Sequence, residues 1–267
     1  MVTFETDNLI YNRFDLIYKD KNIERFLYEV DNETFAIDAH YKGNRASLNI
    51  WGKLFPQRVF NQVVYDIFER HLEIDFLDIR KSGNRFGDIL ESQSDIRVQL
   101  PETWEQLFSR VKAKNRSTII RKKKNLRQQY GDLKLEVYHE EVPEEAVKQY
   151  FFWKKKSHGT DYHMSPRDYI QKYFVTDTLF LKAGETDASI LFICQVEKTA
   201  YLENLAYNCK LSKFSPGFLL YGMALEELIK RGCSYLYLGG GDYGYKTRFG
   251  GEVSTVYTGV IQRKDIV

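Results

Sequence analysis

The chain has 267 residues, of which 43% are hydrophobic, 28% charged and 15% aromatic, with a formal net charge of +2. That is a globular composition, long enough for one large domain or two small ones. The near balance of charge excludes a polycation built to coat nucleic acid, so any electrostatic role has to come from local clustering. The N-terminal residues lack the basic and apolar regions of a signal peptide, and no apolar run approaches the length of a membrane span. Cys194, Cys209 and Cys233 are odd in number and spaced unlike metal ligands, so reduced thiols, a cytoplasmic location and no metal are expected.

The first third alternates short strands and helices. Thr34 to Tyr41 and Arg45 to Trp51 read as successive strands, the second presenting Ala46, Leu48 and Ile50 on one face. Pro56 opens a helix through about His71 with Val59, Val63, Val64, Ile67 and Phe68 on its apolar side, and Ile74 to Ile79 is the next strand. Two strands, a helix and a further strand make an α/β unit without a catalytic motif.

Pro101-Glu102-Thr103-Trp104 marks the start of a strongly charged helical segment, 104–130. From Arg110 to Arg127 it holds nine cations (Arg110, Lys112, Lys114, Arg116, Arg121, Lys122, Lys123, Lys124 and Arg127) and no acid. Leu107, Val111, Ile119, Ile120 and Leu126 recur at helical spacing and are expected to dock. Three readings compete: a solvated helix face, a site for a polyanion, and a structural hairpin whose arginines bond inside the fold.

Gly131-Asp132 ends that segment, Lys134 to His139 is a strand, and Pro143 to Ser157 is a helix burying Ala146, Tyr150, Phe151 and Trp153. Lys154, Lys155 and Lys156 close it, as suits the negative end of a helix dipole. Ser157 to Pro166 is a polar loop carrying His158, Asp161, Tyr162 and His163, either a solvated turn or a substrate rim. A helix over Arg167 to Phe174 follows. Leu179 to Ala183, Ala188 to Glu197 and Thr199 to Tyr207 then read as three antiparallel strands. Glu203 lies inside the third, as a wet-face carboxylate or a general base.

The stretch Tyr207 to Phe249 organises the chain. Ser215 is the expected N-cap of a helix with Pro216 in its first turn, and Gly217 is small enough for a ligand to approach the open backbone N–H groups there. Leu220, Tyr221, Ala224, Leu225, Leu228 and Ile229 form the buried stripe, Gly232 ends the helix, and Tyr235 to Leu238 is a strand leading into Gly-Gly-Gly-Asp-Tyr-Gly-Tyr-Lys-Thr-Arg-Phe.

Three motifs therefore stand in order: Arg-Ser-Thr-Ile-Ile-Arg-Lys-Lys-Lys-Asn-Leu, Phe-Ser-Pro-Gly-Phe-Leu-Leu and Tyr-Lys-Thr-Arg-Phe-Gly. Together, over roughly Phe35 to Gly250, they resemble the acyltransferases related to the cellulose-biosynthesis CelD/BcsL proteins, of the GNAT superfamily and akin to the FemAB aminoacyl transferases. The resemblance implies a mixed α/β GNAT fold with two GNAT-like halves packed together. Residues 1–100 would be a degenerate half and 101–267 the acyltransferase domain. It implies an acyl-CoA donor, acetyl-CoA in the first instance, and an amine acceptor on a small molecule or glycan precursor of polysaccharide biosynthesis.

On that resemblance, Leu202 to Ala206, with Leu205, would hold the pantetheine arm, while Lys213, Ser215, Pro216, Gly217 and Phe218 would take the pyrophosphate. Glu203 or Asp242 would be the base, with Tyr245 and Lys246 of the Tyr-Lys motif completing the catalytic set. Arg116, Arg121, Trp153 and Asp161 are the candidate substrate contacts. The usual GNAT loop is Arg/Gln-x-x-Gly-x-Gly/Ala, and Lys213 to Phe218 keeps one glycine and a cation. Aminoacyl-tRNA, the donor of the FemAB relatives, therefore stands as the alternative, as does a non-catalytic GNAT-fold binding protein.

Overall fold

The structure, a computed structural model, describes residues 22–50, 55–139, 141–159, 164–173, 175–196, 198–239 and 244–266. It divides into two compact units: Ile96–Val253 and, among the described residues, 22–95 with 254–266. The C-terminal strand thus belongs with the N-terminal unit, a grouping that a division at residue 100 does not anticipate.

In the N-terminal unit β1 (Ile23–Val30), β2 (Glu33–Lys42) and β3 (Arg45–Asn49) form an antiparallel meander. Helix α1 (Gln57–Arg70) then crosses over, and β4 (Phe76–Ser82) runs parallel to β3. The antiparallel strand Glu252–Gln262, β11, flanks β4. α1 forms as its pattern predicts: Val59, Val63, Val64, Ile67 and Phe68 are all buried. Its end is held by Arg263, whose guanidinium donates to the carbonyls of Phe68 (2.6 Å), His71 (2.6 Å) and Ile74 (2.7 Å). Carbonyls at a helix C-terminus have no partner within the helix, and the arginine supplies one.

The second unit contains part of β5 (Glu91–Gln99), helices α2 (Trp104–Arg110) and α3 (Ala113–Tyr130), β6 (Leu133–Tyr138), and helices α4 (Glu144–His158) and α5 (Pro166–Tyr173). There follow β7 (Asp177–Ala183), β8 (Thr186–Val196), β9 (Thr199–Tyr207), α6 (Pro216–Lys230) and β10 (Tyr235–Tyr237). The strand order is β5-β10-β9-β8-β7-β6, with β9 and β10 parallel and the other neighbours antiparallel. One core, built with Leu107, Leu126, Leu220, Ala224 and Leu228, puts α2, α3 and α6 on one face of this sheet. Another, built with Ala146, Val147, Tyr150, Trp153 and Tyr169, puts α4 and α5 on the opposite face. The two units share a strand sequence: a meander, a crossover helix, a parallel strand and an antiparallel neighbour.

Several sequence expectations change. The charged segment is two helices, because Val111 turns extended after α2. Ile120, expected to dock, is 59% exposed, since the inward face of α3 runs through Ile119 and Leu126 instead. β1, β5 and β11 carry polar, weakly alternating sequences and were not apparent as strands.

At the C-terminal end of α6, Asp177 is fully buried and accepts hydrogen bonds from Thr176 (2.5 Å), Arg231 (2.9 Å) and His139. Arg231 also donates to Glu227 (3.0 Å) and Gln195 (3.3 Å), so the cluster joins α6 to the start of β7 and the end of β8. Burial would raise the Asp177 carboxyl, but the hydrogen bonds from Thr176, His139 and Arg231 outweigh it and hold its pKa below the ordinary value. A carboxyl depressed on folding stabilises fully above its unfolded pKa of about 4, and that stabilisation disappears as pH falls through the lower folded value. Asp177→Asn is expected to lose about 2 kcal/mol at pH 7 in urea melts, because Arg231, largely buried, keeps only Glu227 as its ion-pair partner among the described residues. The difference from wild type should narrow steadily below about pH 4.

Candidate active site

The site begins with a fault in the pairing of β9. Along β8 the register runs Phe192↔Asn204 and then Ile193↔Leu202, so Glu203 is an extra residue, a β-bulge. Alternation along a strand should place residues two apart on one face. Here Ala200, Leu202 and Leu205 all belong to the α6 side, while Ala206 lies in the core under α4. The bulge sets Glu203 between Leu202, on the α6 side, and Asn204, which faces α4 and accepts at Oδ1 from the Tyr150 hydroxyl at 2.9 Å.

On its other edge β9 pairs with β10 only through Thr199, Ala200 and Tyr201, whose partners are Tyr235, Leu236 and Tyr237. The stacked rings of Tyr201 and Tyr237, with centroids 5.2 Å apart and planes at 17°, close the last paired rung. Beyond it, Leu202–Tyr207 keep β8 as a neighbour and, among the described residues, make no ladder to β10. The chain leaving β10 reaches Gly239, in the left-handed region at φ +70°, whose carbonyl accepts a 2.9 Å hydrogen bond from Lys246 Nζ. Lys246 is 4% exposed, so it is a buried residue of the turn and not a surface lysine.

After β9, Asn208 caps a 3₁₀ turn over Cys209–Phe214 by accepting from the Lys210 N–H at 3.1 Å. Ser215 occupies the expected N-cap position, but its side chain makes no capping bond; its backbone is left-handed, at φ +53°. The Ser215 carbonyl accepts from the Phe218 and Leu219 N–H groups at 3.0 and 3.1 Å. Pro216 has no N–H, and the Gly217 N–H makes no hydrogen bond among the described residues, so one donor stays open at the helix start.

Gly217 itself is needed for a different reason from the one the sequence suggests. A Cβ there would lie 2.7 Å from Leu205 Cδ2 and 3.4 Å from Tyr207 Cδ1, so α6 is pressed against β9 and the space is filled by the strand. The first turn of α6 has no acidic residue. Lys213 Nζ lies over the Phe214 ring at 4.8 Å, and the Arg248 guanidinium lies over the Phe218 ring at 5.5 Å. Lys122 of α3 donates to the Lys213 carbonyl at 2.6 Å. The positive end of the helix dipole is thus ringed by cations. Arg248 escaped the sequence reading although it stands inside the Tyr-Lys-Thr-Arg-Phe motif.

The remaining candidates separate. Arg116 is committed to structure, donating to the carbonyls of Ser109 (2.9 Å) and Val111 (2.7 Å) that α2 leaves open. Trp153 is 4% exposed and belongs to the core under the sheet. Arg121 is exposed on α3. Tyr245 is half-buried, its ring edge-on to Tyr221 at 6.0 Å. Asp161 and Asp242 lie outside the described residues.

Residues 113–247 match the sequence profile of the acetyltransferase (GNAT) domain. The chain belongs to the GNAT acetyltransferase family. No curated protein sequence matches it. Among solved structures it is similar to FemX (9% identity, 94% of this chain and 92% of that one, TM-score 0.63). It is also similar to the C-terminal domain of a putative lysylphosphatidylglycerol synthetase from Agrobacterium fabrum (12%, 98% and 94%, 0.56). L-PGS from Bacillus licheniformis is a third (11%, 95% and 92%, 0.55). At these identities the likeness is one of fold. The GNAT chain is an acyltransferase, and the matched region contains the opened strand edge, the α6 helix start and Lys246.

Lys246→Met removes the donor to Gly239 while keeping the stem. It is expected to lower stability by about 2 kcal/mol in a thermal melt, because a buried charged donor to the Gly239 carbonyl is lost.

Proposed function

We propose that this GNAT enzyme moves an acyl group, acetyl in the first instance, from acyl-CoA to an amine on a sugar or cell-envelope precursor. The observation that carries the reading is the parting of β9 from β10 beside a helix start ringed by cations. An extended pantetheine arm has amide donors and acceptors to offer the open edge of Leu202–Tyr207, and a pyrophosphate suits the Gly217 N–H with Lys213 and Arg248.

In this reading the neutral amine nitrogen bonds to the thioester carbonyl carbon, and Glu203, on the bulge, takes the proton that the nitrogen then has to lose. A backbone N–H of the β9 edge stabilises the oxyanion, the carbon–sulfur bond breaks, and the departing thiolate takes a proton from Tyr245. Lys246 holds the turn through the Gly239 carbonyl and adds positive charge behind it. The CelD/BcsL resemblance supplies the polysaccharide-precursor acceptor, and the three cysteines, odd in number and read as reduced thiols, the cytoplasmic setting. The shared strand sequence supports the N-terminal unit as a GNAT-like half that has lost its site.

A second donor, aminoacyl-tRNA, is favoured by α3. Of the nine cations from Arg110 to Arg127, Arg127 pairs with Asp132 at 2.6 Å, and Arg116 and Lys122 bond carbonyls. The other six make no ion pair among the described residues, a surface suited to a polyanion.

Calorimetry with acetyl-CoA and CoA decides between them. Micromolar binding that falls at least about tenfold in a Lys213→Glu, Arg248→Glu double variant is expected. Absence of thioester binding, together with tRNA binding that weakens steeply with salt, would replace acyl-CoA by the second donor. Glu203→Gln should leave CoA affinity intact and lower kcat on the order of 10²-fold or more.

A further inference from the structure

The α4 face of the bulge carries a cation that the catalytic reading leaves unused. Lys154 stands one helical turn after Tyr150, and its Nζ lies 5.7 Å from the Tyr150 ring centroid. The Tyr150 hydroxyl in turn holds Asn204, the residue next to Glu203. One side chain therefore connects the Lys154 ammonium to the bulge. Asn204 faces α4, so Lys154 lies close to the bulge that carries Glu203, where the proposed function brings the amine.

The surroundings of Lys154 differ from those of its neighbour on the helix. Lys148 is exposed and paired with both Glu144 (3.2 Å) and Glu145 (2.8 Å). Lys154 is half-buried and has no ion-pair partner among the described residues. Burial accordingly pushes its pKa down, with no carboxylate to oppose the shift. An ammonium drawn partly out of water and compensated only by a tyrosine face is electrostatically incomplete. A negative charge brought by a ligand completes it.

We propose that Lys154 binds an anionic group, a carboxylate or a phosphate, on the amine acceptor, so that this enzyme's acceptors are amines that also carry negative charge. The inference rests on the reading of Glu203 as the residue that meets the amine. Tyr150 and Asn204 are positioning residues: they fix Lys154 and the bulge relative to each other. A charge-assisted bond to an ammonium this far desolvated is stronger than one at an open surface, which gives the contact its power to select.

The test compares matched pairs of amines by calorimetry on the wild type, Lys154→Met and Lys154→Arg. Glucosamine 6-phosphate against glucosamine probes phosphate, and an α-amino acid against its carboxamide probes carboxylate. The expected result is that the charged member of one pair binds the wild type about tenfold or more tighter than its neutral partner. That advantage should vanish in Lys154→Met and persist in part in Lys154→Arg. Which pair shows it identifies the anion. Equal affinity within both pairs, a preference that survives Lys154→Met, or no binding by any of the four amines overturns the proposal. So does a fall in kcat shared by charged and neutral acceptors, which would make Lys154 a proton acceptor instead. CoA titrated separately into each variant should bind as it does to the wild type. Loss of CoA binding by the wild type would instead count against the donor reading, and the two failures are therefore distinguishable.

Discussion

The second unit depends on a ladder that stops early. A strand inside a sheet normally has its N–H and C=O groups satisfied on both edges, and a buried unpaired group is costly. β9 pairs with β8 along its length apart from the bulge at Glu203, yet with β10, among the described residues, only as far as Tyr201. An edge that parts from its neighbour in this way suits a ligand with the hydrogen-bonding pattern of an extended chain. Much of the neighbouring architecture keeps the gap in place. The Tyr201–Tyr237 stack ends the paired region, Lys246 draws the chain after β10 through Gly239, and the absent side chain of Gly217 lets α6 seat against Leu205. The bulge breaks the alternation of β9 at Glu203, so Leu205 returns to the α6 side while Asn204 stays on the α4 side.

The N-terminal unit shows the same sequence of elements without the fault. β3 and β4 pair in register from Arg45↔Phe76 to Asn49↔Arg80, and β3 ends there. Among the described residues, no stretch of β3 runs on beyond its partner. Two units with one topology thus differ at the feature on which donor binding is proposed. A sheet fully paired around its crossover is a scaffold; one that parts partway along has an unfilled position.

How much of this was legible depends on whether the signal was periodic. α1 and α6 were readable to within about a residue, because their apolar stripes repeat and Pro56, Pro216 and Gly232 punctuate their ends. β5, Glu-Ser-Gln-Ser-Asp-Ile-Arg-Val-Gln, buries side chains only in its later part and presents no alternation before Asp95. The bulge was in principle visible: apolar residues at 200 and 202 are followed by one at 205, a spacing of three where a strand requires two. Roles that depend on what lies across the fold were not visible. Nothing local says that Gly217 faces Leu205, that Arg116 bonds the end of α2, or that Lys246 is buried, since each is decided by an element distant in sequence or by a turn whose course the sequence does not specify.

The basic helix α3 illustrates how one run of charge divides into several physical functions. Arg116 closes the carbonyls of the preceding helix, Arg127 meets Asp132, and Lys122 fastens α3 to the turn that leads into α6. These contacts dock the helix in spite of its charge, with Leu126 as its buried anchor. Lys122 thus brings α3 to the turn before the helix start, and the remaining cations of the run make no ion pair among the described residues. Because the whole chain carries a net charge of only +2, their field is a local one, opposed elsewhere on the surface. A local positive field next to an open helix N-terminus draws anions toward one place, and it does so whether the anion is a pyrophosphate or a nucleic-acid backbone. Under the proposed function, the field would set where an anionic donor arrives, while the edge of β9 that parts from β10, suited to an extended amide-bearing chain, would set which donor is held there.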